Sequence, residues 1–251
     1  MRIIARLDIK NHNLIKGINL EGLRVIGEPN QYALKYYNEG IDEIIFMDAV
    51  ASLYGRNNLY EIISKASKNI FIPITVGGGI RSVEDASKAF KSGADKVAVN
   101  TAAVENKDLI NRLSKKFGSQ SIVLSIEAKK IREDYWEVFT NSGRQETGLD
   151  VIEWAKNCEK RGAGEILLTS IDKEGTNKGF DCELFSNISK SINIPIIASG
   201  GFGKPSDMTN LNDISKVDAI AVAYALHYKK FSIMDIRKEA VKSNIKIRKL
   251  V

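Results

Sequence analysis

The chain repeats itself, and that repeat limits its fold more than any other feature. Gly40-Ile41-Asp42-Glu43-Ile44-Ile45 returns 122 residues later as Gly162-Ala163-Gly164-Glu165-Ile166-Leu167. At the same offset, Ile72-Pro73-Ile74-Thr75-Val76-Gly77-Gly78-Gly79 returns as Ile194-Pro195-Ile196-Ile197-Ala198-Ser199-Gly200-Gly201. Each copy reads as a buried strand that runs into a turn of small residues, where backbone N–H groups come close enough to hold a phosphate. Two such turns related by duplication point to a ligand with a phosphate at each end.

Between the repeats, apolar runs of strand length alternate with segments of helical period. Strands are expected at 2–9, 43–48, 72–76, 95–99, 121–126, 165–169, 194–198 and 217–221. Helices are expected at 30–39, 58–68, 82–92, 106–116, 149–161, 181–190, 205–213 and 232–243. The strands are continuously apolar rather than alternating, which fits a parallel sheet covered by helices, and eight units fit closure into a barrel. At 251 residues the chain has the usual length of a single (β/α)8 barrel. The expectation is one domain, built from half-barrels at about 1–120 and 121–251, with an extra hairpin at 129–141 around Tyr135-Trp136-Glu137-Val138-Phe139.

Composition narrows the function classes. A hydrophobic share of 43% with 27% charged residues fits a globular protein with a sizeable core. No run of about 18 apolar residues and no leader pattern is present, so neither a membrane span nor a signal peptide is expected. Cys158 and Cys182 match no metal-binding spacing and fit a reducing, cytoplasmic setting. A net charge of +6 suits an anionic metabolite better than nucleic acid, because the lysines are dispersed along helices with no accompanying aromatic-basic motif.

In barrels of this kind chemistry sits at the C-terminal strand ends. Asp8 ends the first strand and Glu127 the fifth, the corresponding strands of the two halves. The repeat therefore puts two carboxylates on opposite sides of one barrel mouth, where a pair with separated pKa values divides acid and base work. The structural alternative is that each carboxylate caps a neighbouring loop or helix.

The segments Asp8-Ile9-Lys10, Leu14-Ile15-Lys16-Gly17, Thr75-Val76-Gly77-Gly78-Gly79-Ile80-Arg81, Asn100-Thr101-Ala102-Ala103, Phe117-Gly118-Ser119-Gln120 and Gly162 to Asp172 occur in an order that resembles the cyclase subunit of imidazole glycerol phosphate synthase, over essentially the whole chain. The resemblance implies a half-barrel-duplicated (β/α)8 fold. It also implies conversion of a bis-phosphorylated ribulosyl aminoimidazole carboxamide ribonucleotide (PRFAR), with ammonia, to imidazole glycerol phosphate and aminoimidazole carboxamide ribonucleotide (AICAR) in histidine biosynthesis. No metal or redox cofactor is implied. Asp8 and Glu127 match the catalytic acid/base positions. Lys16, Asp48, Thr169, Glu174 and Tyr224 fall at substrate positions. Gly78 and Gly79 with Asn100 and Thr101 match one phosphate site, and Ser199, Gly200 and Gly201 the other. At the opposite face Arg2, Glu43, Lys96 and Glu165 match a charged ring at the entrance of an ammonia channel, and the implied partner is a class I glutaminase subunit in a heterodimer, on a face that includes Asp95. Read without the resemblance, those four charges are an ion-pair network closing the barrel floor.

The chain departs from the family pattern mainly at the substrate end. Arg6 stands where a cysteine is usual and, by strand alternation, shares a face with Asp8. Glu127 and Glu174 replace aspartates, Tyr224 a serine and Val50 a threonine, and Asn11-His12-Asn13 opens the first loop. Tyr224 is expected to narrow the second phosphate pocket, and His12 to be a surface residue. An intact entrance beneath an altered pocket keeps a second reading open, a paralogue that delivers ammonia for sugar amidination in surface-polysaccharide synthesis. An isomerase of the same duplicated barrel and an inactive platform for the glutaminase are the remaining alternatives.

Overall fold

The fold follows from strands that have no polar face. In the computed structural model, which describes residues 1–51 and 59–250, parallel strands β1 (Arg2–Lys10), β4 (Glu43–Asp48), β5 (Ile74–Gly77), β6 (Lys96–Val99), β7 (Ile122–Arg132), β10 (Glu165–Ser170), β11 (Ile196–Ser199) and β12 (Ala219–Val222) pair in that order. The ring closes between β12 and β1, where Arg2 lies opposite Ala219. The two halves meet again at the β6–β7 pair, where Val97 lies opposite Ile122. Residue 58, the first of the expected 58–68 helix, lies outside the described residues.

Alternate residues of each strand serve different cores. Ile3, Ile44, Val76, Val97, Leu124, Ile166 and Ile220 face the surrounding helices. Ile4, Ile45, Ala98, Val123, Leu167, Ile197, Ala219 and Ala221 fill the barrel interior with an apolar layer. The α-helices that lie wholly within the described residues are α1 (Pro29–Asn38), α2 (Leu59–Ala66), α3 (Val83–Lys91), α4 (Thr101–Glu105), α5 (Asp108–Phe117), α6 (Val151–Lys160), α7 (Cys182–Ser189), α8 (Ser206–Ile214), α9 (Tyr224–His227) and α10 (Ile233–Lys242). In α3 the Ser82 hydroxyl accepts the Asp85 N–H, so the helix starts one residue later, while Val83, Ala86 and Ala89 form its buried stripe. None of the described helices is long and apolar enough to cross a membrane.

Three acids at strand starts clip neighbouring strands. Asp42 Oδ2 accepts the Ile3 N–H at 2.8 Å, Asp95 Oδ2 the Ile74 N–H at 2.8 Å and Asp218 Oδ2 the Ile196 N–H at 2.9 Å. The last two are the same device in each half. Asp95, expected on the partner-binding face, is thus committed in part to the barrel. Asp42 has no carboxylate counterpart, since the repeat places Gly164 there. A Cβ on Gly164 would sit 2.1 Å from the Ser119 carbonyl oxygen. Gly164→Ala is therefore expected to cost about 1–3 kcal/mol through overpacking, read as a lower urea midpoint at unchanged slope.

Two elements differ from the sequence reading. The first loop is a hairpin of β2 (Asn13–Ile18) and β3 (Glu21–Gly27), antiparallel to the end of β1. Its turn uses Asn19 and Leu20, both at positive φ, and a leucine there gives no turn signal. The Asn19 N–H instead donates to the Glu174 carbonyl at 2.8 Å, so a tertiary contact holds the turn. The second hairpin is longer than expected: after β8 (Tyr135–Thr140) comes β9 (Gln145–Asp150), which absorbs the start of the expected 149–161 helix. Asp150 is the N-cap of α6, its carboxylate accepting the Ile152 and Glu153 N–H groups.

Candidate active site

The C-terminal strand ends surround a cavity of about 220 Å³, whose walls include Asp8, Lys16, Asp48, Gly78, Gly79, Asn100, Thr101 and Glu127. These eight sequence-predicted residues are thus brought together, and Arg6 lies at the same wall. Thr169, Glu174, Ser199, Gly200, Gly201 and Tyr224 do not line this cavity.

Strand alternation in β1 places Arg6 and Asp8 side by side. Arg6 Nε donates to Asp8 Oδ1 at 2.9 Å, and Lys16 Nζ, carried in by β2, donates to Asp8 Oδ2 at 3.2 Å. Lys16 also pairs with Glu174, likewise buried. Burial opposes ionisation of Asp8, but the charges of Arg6 and Lys16 outweigh it and hold the carboxyl far below the usual range. Glu127 is treated differently. Burial pushes it up to about 7, against opposing pulls from the Gly143 N–H and Arg6. Its Oε2 accepts the Gly143 N–H at 2.8 Å, so the extra methylene relative to aspartate is used in reaching the β8–β9 turn.

That turn spans the mouth. Asn141, Ser142 and Gly143 all have positive φ; the Ser142 hydroxyl donates to the Ala49 carbonyl at 2.6 Å, and the Asn141 N–H to Thr101 Oγ1 at 3.2 Å. Ser142 and Arg144 line the cavity and were missed by the sequence reading, although Asn141-Ser142-Gly143 carried a turn signal. Gly78 has φ 85°, and a Cβ there would meet the Asp48 carbonyl oxygen at 2.3 Å, so glycine is required by conformation and by space. Asp48 is raised by burial while accepting the Val50 N–H at 2.9 Å. Asn100 donates from Nδ2 to the Phe139 carbonyl at 3.1 Å, and its buried Oδ1 has no partner among the described residues.

In the second half, the hydroxyls of Thr169 and Ser199 both accept from Arg6 Nη1, at 2.8 and 3.0 Å. Gly200 and Gly201 take φ of 96° and 102°, and a Cβ on Gly201 would meet the Gly179 carbonyl oxygen at 2.0 Å. Tyr224 opens α9 and packs its ring on Tyr228, centroids 4.4 Å apart, with Lys230 over it. His12 is exposed in the β1–β2 turn. His227, which the sequence left without a role, is buried: Tyr36 Oη lies 2.8 Å from Nδ1, and Nε2 lies 3.1 Å from the Arg6 carbonyl. Burial lowers the ring to about 4, so near neutral pH it is uncharged; Nε2–H donates to Arg6 and Nδ1 accepts from Tyr36.

At the other end of the barrel Arg2, Glu43, Lys96 and Glu165 form one ring. Arg2 reaches Glu43 at 2.6 Å and Glu165 at 2.5 Å, and Lys96 reaches the same two carboxylates at 3.3 and 2.8 Å. The apolar interior layer lies between this ring and Arg6. Cys158 and Cys182 are free thiols, the former buried and pushed up to about 12. Among the described residues no cluster of His, Cys, Asp and Glu is arranged to hold a metal ion.

Comparison with known proteins gives consistent matches. A relative from Legionella pneumophila, named imidazole glycerol phosphate synthase subunit HisF, is 63% identical over 204 residues, 81% of this chain and 96% of that protein. Proteins of the same name from Sulfolobus acidocaldarius and Dehalococcoides mccartyi are 49% and 45% identical over 247 residues, 98% of this chain and 98% and 97% of theirs. The family model described as histidine biosynthesis protein matches residues 2–232, and the chain belongs to that family.

Proposed function

We propose that this protein is the cyclase subunit of an imidazole glycerol phosphate synthase, an enzyme of histidine biosynthesis. In this reading ammonia and PRFAR are converted to imidazole glycerol phosphate and AICAR. The observation that carries it is the pair of strand-end carboxylates with opposite environments, Asp8 held ionised by two cations and Glu127 raised to about 7, in a cavity walled by the Gly78-Gly79 turn. The relatives from Sulfolobus acidocaldarius and Dehalococcoides mccartyi, which match 98% of the chain, bear this enzyme's name, and that assignment is preferred to the sugar-amidination alternative.

Asp8 and Glu127 are the two carboxylates at the reacting atoms, with Lys16 and Asp48 orienting the substrate. One phosphate docks at Gly78, Gly79, Asn100 and Thr101, where the first-turn N–H groups of α4 supply donors. The other docks on the backbone at Gly200 and Gly201; the hydroxyls of Thr169 and Ser199 face Arg6 instead. The partner is a glutaminase subunit bound at the face carrying the Arg2–Glu43–Lys96–Glu165 ring. Ammonia enters there and crosses the apolar layer formed by Ile4, Ile45, Ala98, Val123, Leu167, Ile197, Ala219 and Ala221. A dry route matters because ammonia in water is largely protonated and then lacks the lone pair that attacks carbon.

The test is direct. Purified chain with PRFAR and ammonium salt is expected to release AICAR at ordinary enzymatic rates, and crystals soaked in phosphate are expected to show two anions across the mouth. No turnover, together with occupancy at Gly78-Gly79 alone, would remove the cyclase assignment and favour a substrate with a single phosphate.

A further inference from the structure

Arg6 is the residue whose charge the expected chemistry does not use, and it is held by its own strand and by three other elements. Its Nε donates to Asp8 on its own strand, and its Nη1 to Thr169 of β10 and Ser199 of β11. Its main-chain carbonyl accepts from His227 of α9, which in turn accepts from Tyr36 of α1. We propose that Arg6 is a positioning residue that withdraws Asp8 from proton exchange, so that of the two strand-end acids Glu127 alone gains and loses a proton during turnover.

Hydrogen-bond polarity carries the argument. Both oxygens of Asp8 face cationic donors that have no accepting atom, Arg6 Nε and Lys16 Nζ. A proton on either oxygen would point at another proton, costing a charge-assisted bond. Glu127 has no such constraint: Oε2 takes one backbone N–H, and Oε1 has no partner among the described residues.

Charge leads to the same assignment. The groups facing Glu127 are Arg6 and Asp8 from β1, with Lys16 of β2 and Glu174 of the loop after β10 behind them; Asp48 of β4, Arg81 ahead of α3, Glu105 of α4 and Arg144 of the β8–β9 turn stand on the cavity wall. Arg6 and Lys16 are matched one for one by Asp8 and Glu174. Neither of these two cations is free for Glu127, and among the described residues no salt bridge reaches it, so burial favours its protonated form, in keeping with its rise to about 7. Asp8 then acts as a fixed anion that stabilises positive charge developing on the substrate.

The protonation half of this inference needs no substrate; only the word turnover rests on the cyclase reading. The experiment is a ¹³C NMR titration of the chain labelled at Asp and Glu carboxyl carbons, with Asp8→Asn and Glu127→Gln to assign the two signals. Glu127 is expected to titrate near 7 and Asp8 to stay flat down to about pH 4. In Arg6→Met the Asp8 signal is expected to titrate above that limit, and in Arg6→Lys, which keeps the cation, to remain flat. An Asp8 inflection between about pH 4 and 8 in the unaltered chain overturns the proposal, as does an Asp8 signal still flat in folded Arg6→Met. Should Arg6→Met not fold, the unaltered chain and Arg6→Lys decide alone. With PRFAR at constant free ammonia, kcat is expected to follow one ionisation near 7 that shifts in Glu127→Asp, and two comparable ionisations overturn the proposal. Absence of turnover at every pH would remove the cyclase reading and leave the NMR result to decide the role of Arg6.

Discussion

Asp8→Asn is expected to lower turnover of PRFAR with ammonium salt by about 10²–10³-fold, the range for removing one preorganised electrostatic group from a site. Using ammonium separates the chemical step from glutaminase coupling. The structure adds a reason for the size of the effect. Asparagine keeps the shape of the side chain but removes the negative charge on which Arg6 and Lys16 converge at 2.9 and 3.2 Å. The substrate would then meet two buried cations balanced by Glu174 alone. Loss in kcat with little change in KM would place the missing interaction in the transition state. Activity within tenfold of the unaltered chain, in protein shown to be folded by circular dichroism, would take Asp8 out of the chemistry. Glu127→Gln is expected to cost at least as much, since it removes the group that gains and loses the proton while keeping the contact to Gly143.

The second large effect concerns stability and lies at the other end of the barrel. Asp42→Ala is expected to destabilise the protein by about 3–5 kcal/mol, the range for removing one partner of a buried ion pair. The Asp42 and Arg237 side chains are each 5% exposed, and Arg237 Nη2 donates to Asp42 Oδ1 at 2.5 Å. Arg248 Nε meets the same oxygen at 2.8 Å from the solvent side, and the other oxygen takes the Ile3 N–H. Alanine would leave a buried guanidinium and a strand N–H without an acceptor. At about 2–4 °C per kcal/mol for a chain of this size, the expected fall in melting temperature is on the order of 10 °C. Adding Arg237→Met should recover part of the loss, because no unpaired buried charge then remains. A change of less than about 1 kcal/mol for Asp42→Ala would mean that the cluster is solvated enough to be dispensable.

The position of Asp42 also shows how far the repeat could be read. The duplication was visible because buried strands and their glycine turns must be alike in both halves: Ile74 and Ile196 follow prolines, each clipped by an acid from the next strand. The same pattern conceals Asp42 and Gly164, which occupy equivalent places for unrelated reasons, one to hold the C-terminal segment and the other to make room for the Ser119 carbonyl. Pattern reports which residues are buried and records nothing about what each is buried against.

From sequence alone came the eight-stranded barrel and the placing of Asp8 and Glu127 on opposed strands, because strand period and repeat offset fix these positions without reference to contacts; of the four floor charges the repeat gives Glu43 and Glu165, and the family resemblance adds Arg2 and Lys96. Alternation even put Arg6 on the same face as Asp8. Tertiary structure decided what that proximity does. The β2–β3 hairpin, held by Glu174 through a leucine turn that gives no local signal, brings Lys16 to the second oxygen of Asp8. The β8–β9 turn brings the Gly143 N–H to Glu127, and His227, itself held by Tyr36 of another helix, reaches the Arg6 carbonyl. Which of two matching carboxyls holds a proton depends on the donors and charges within a few ångströms of each, and those are assembled from segments far apart in the chain.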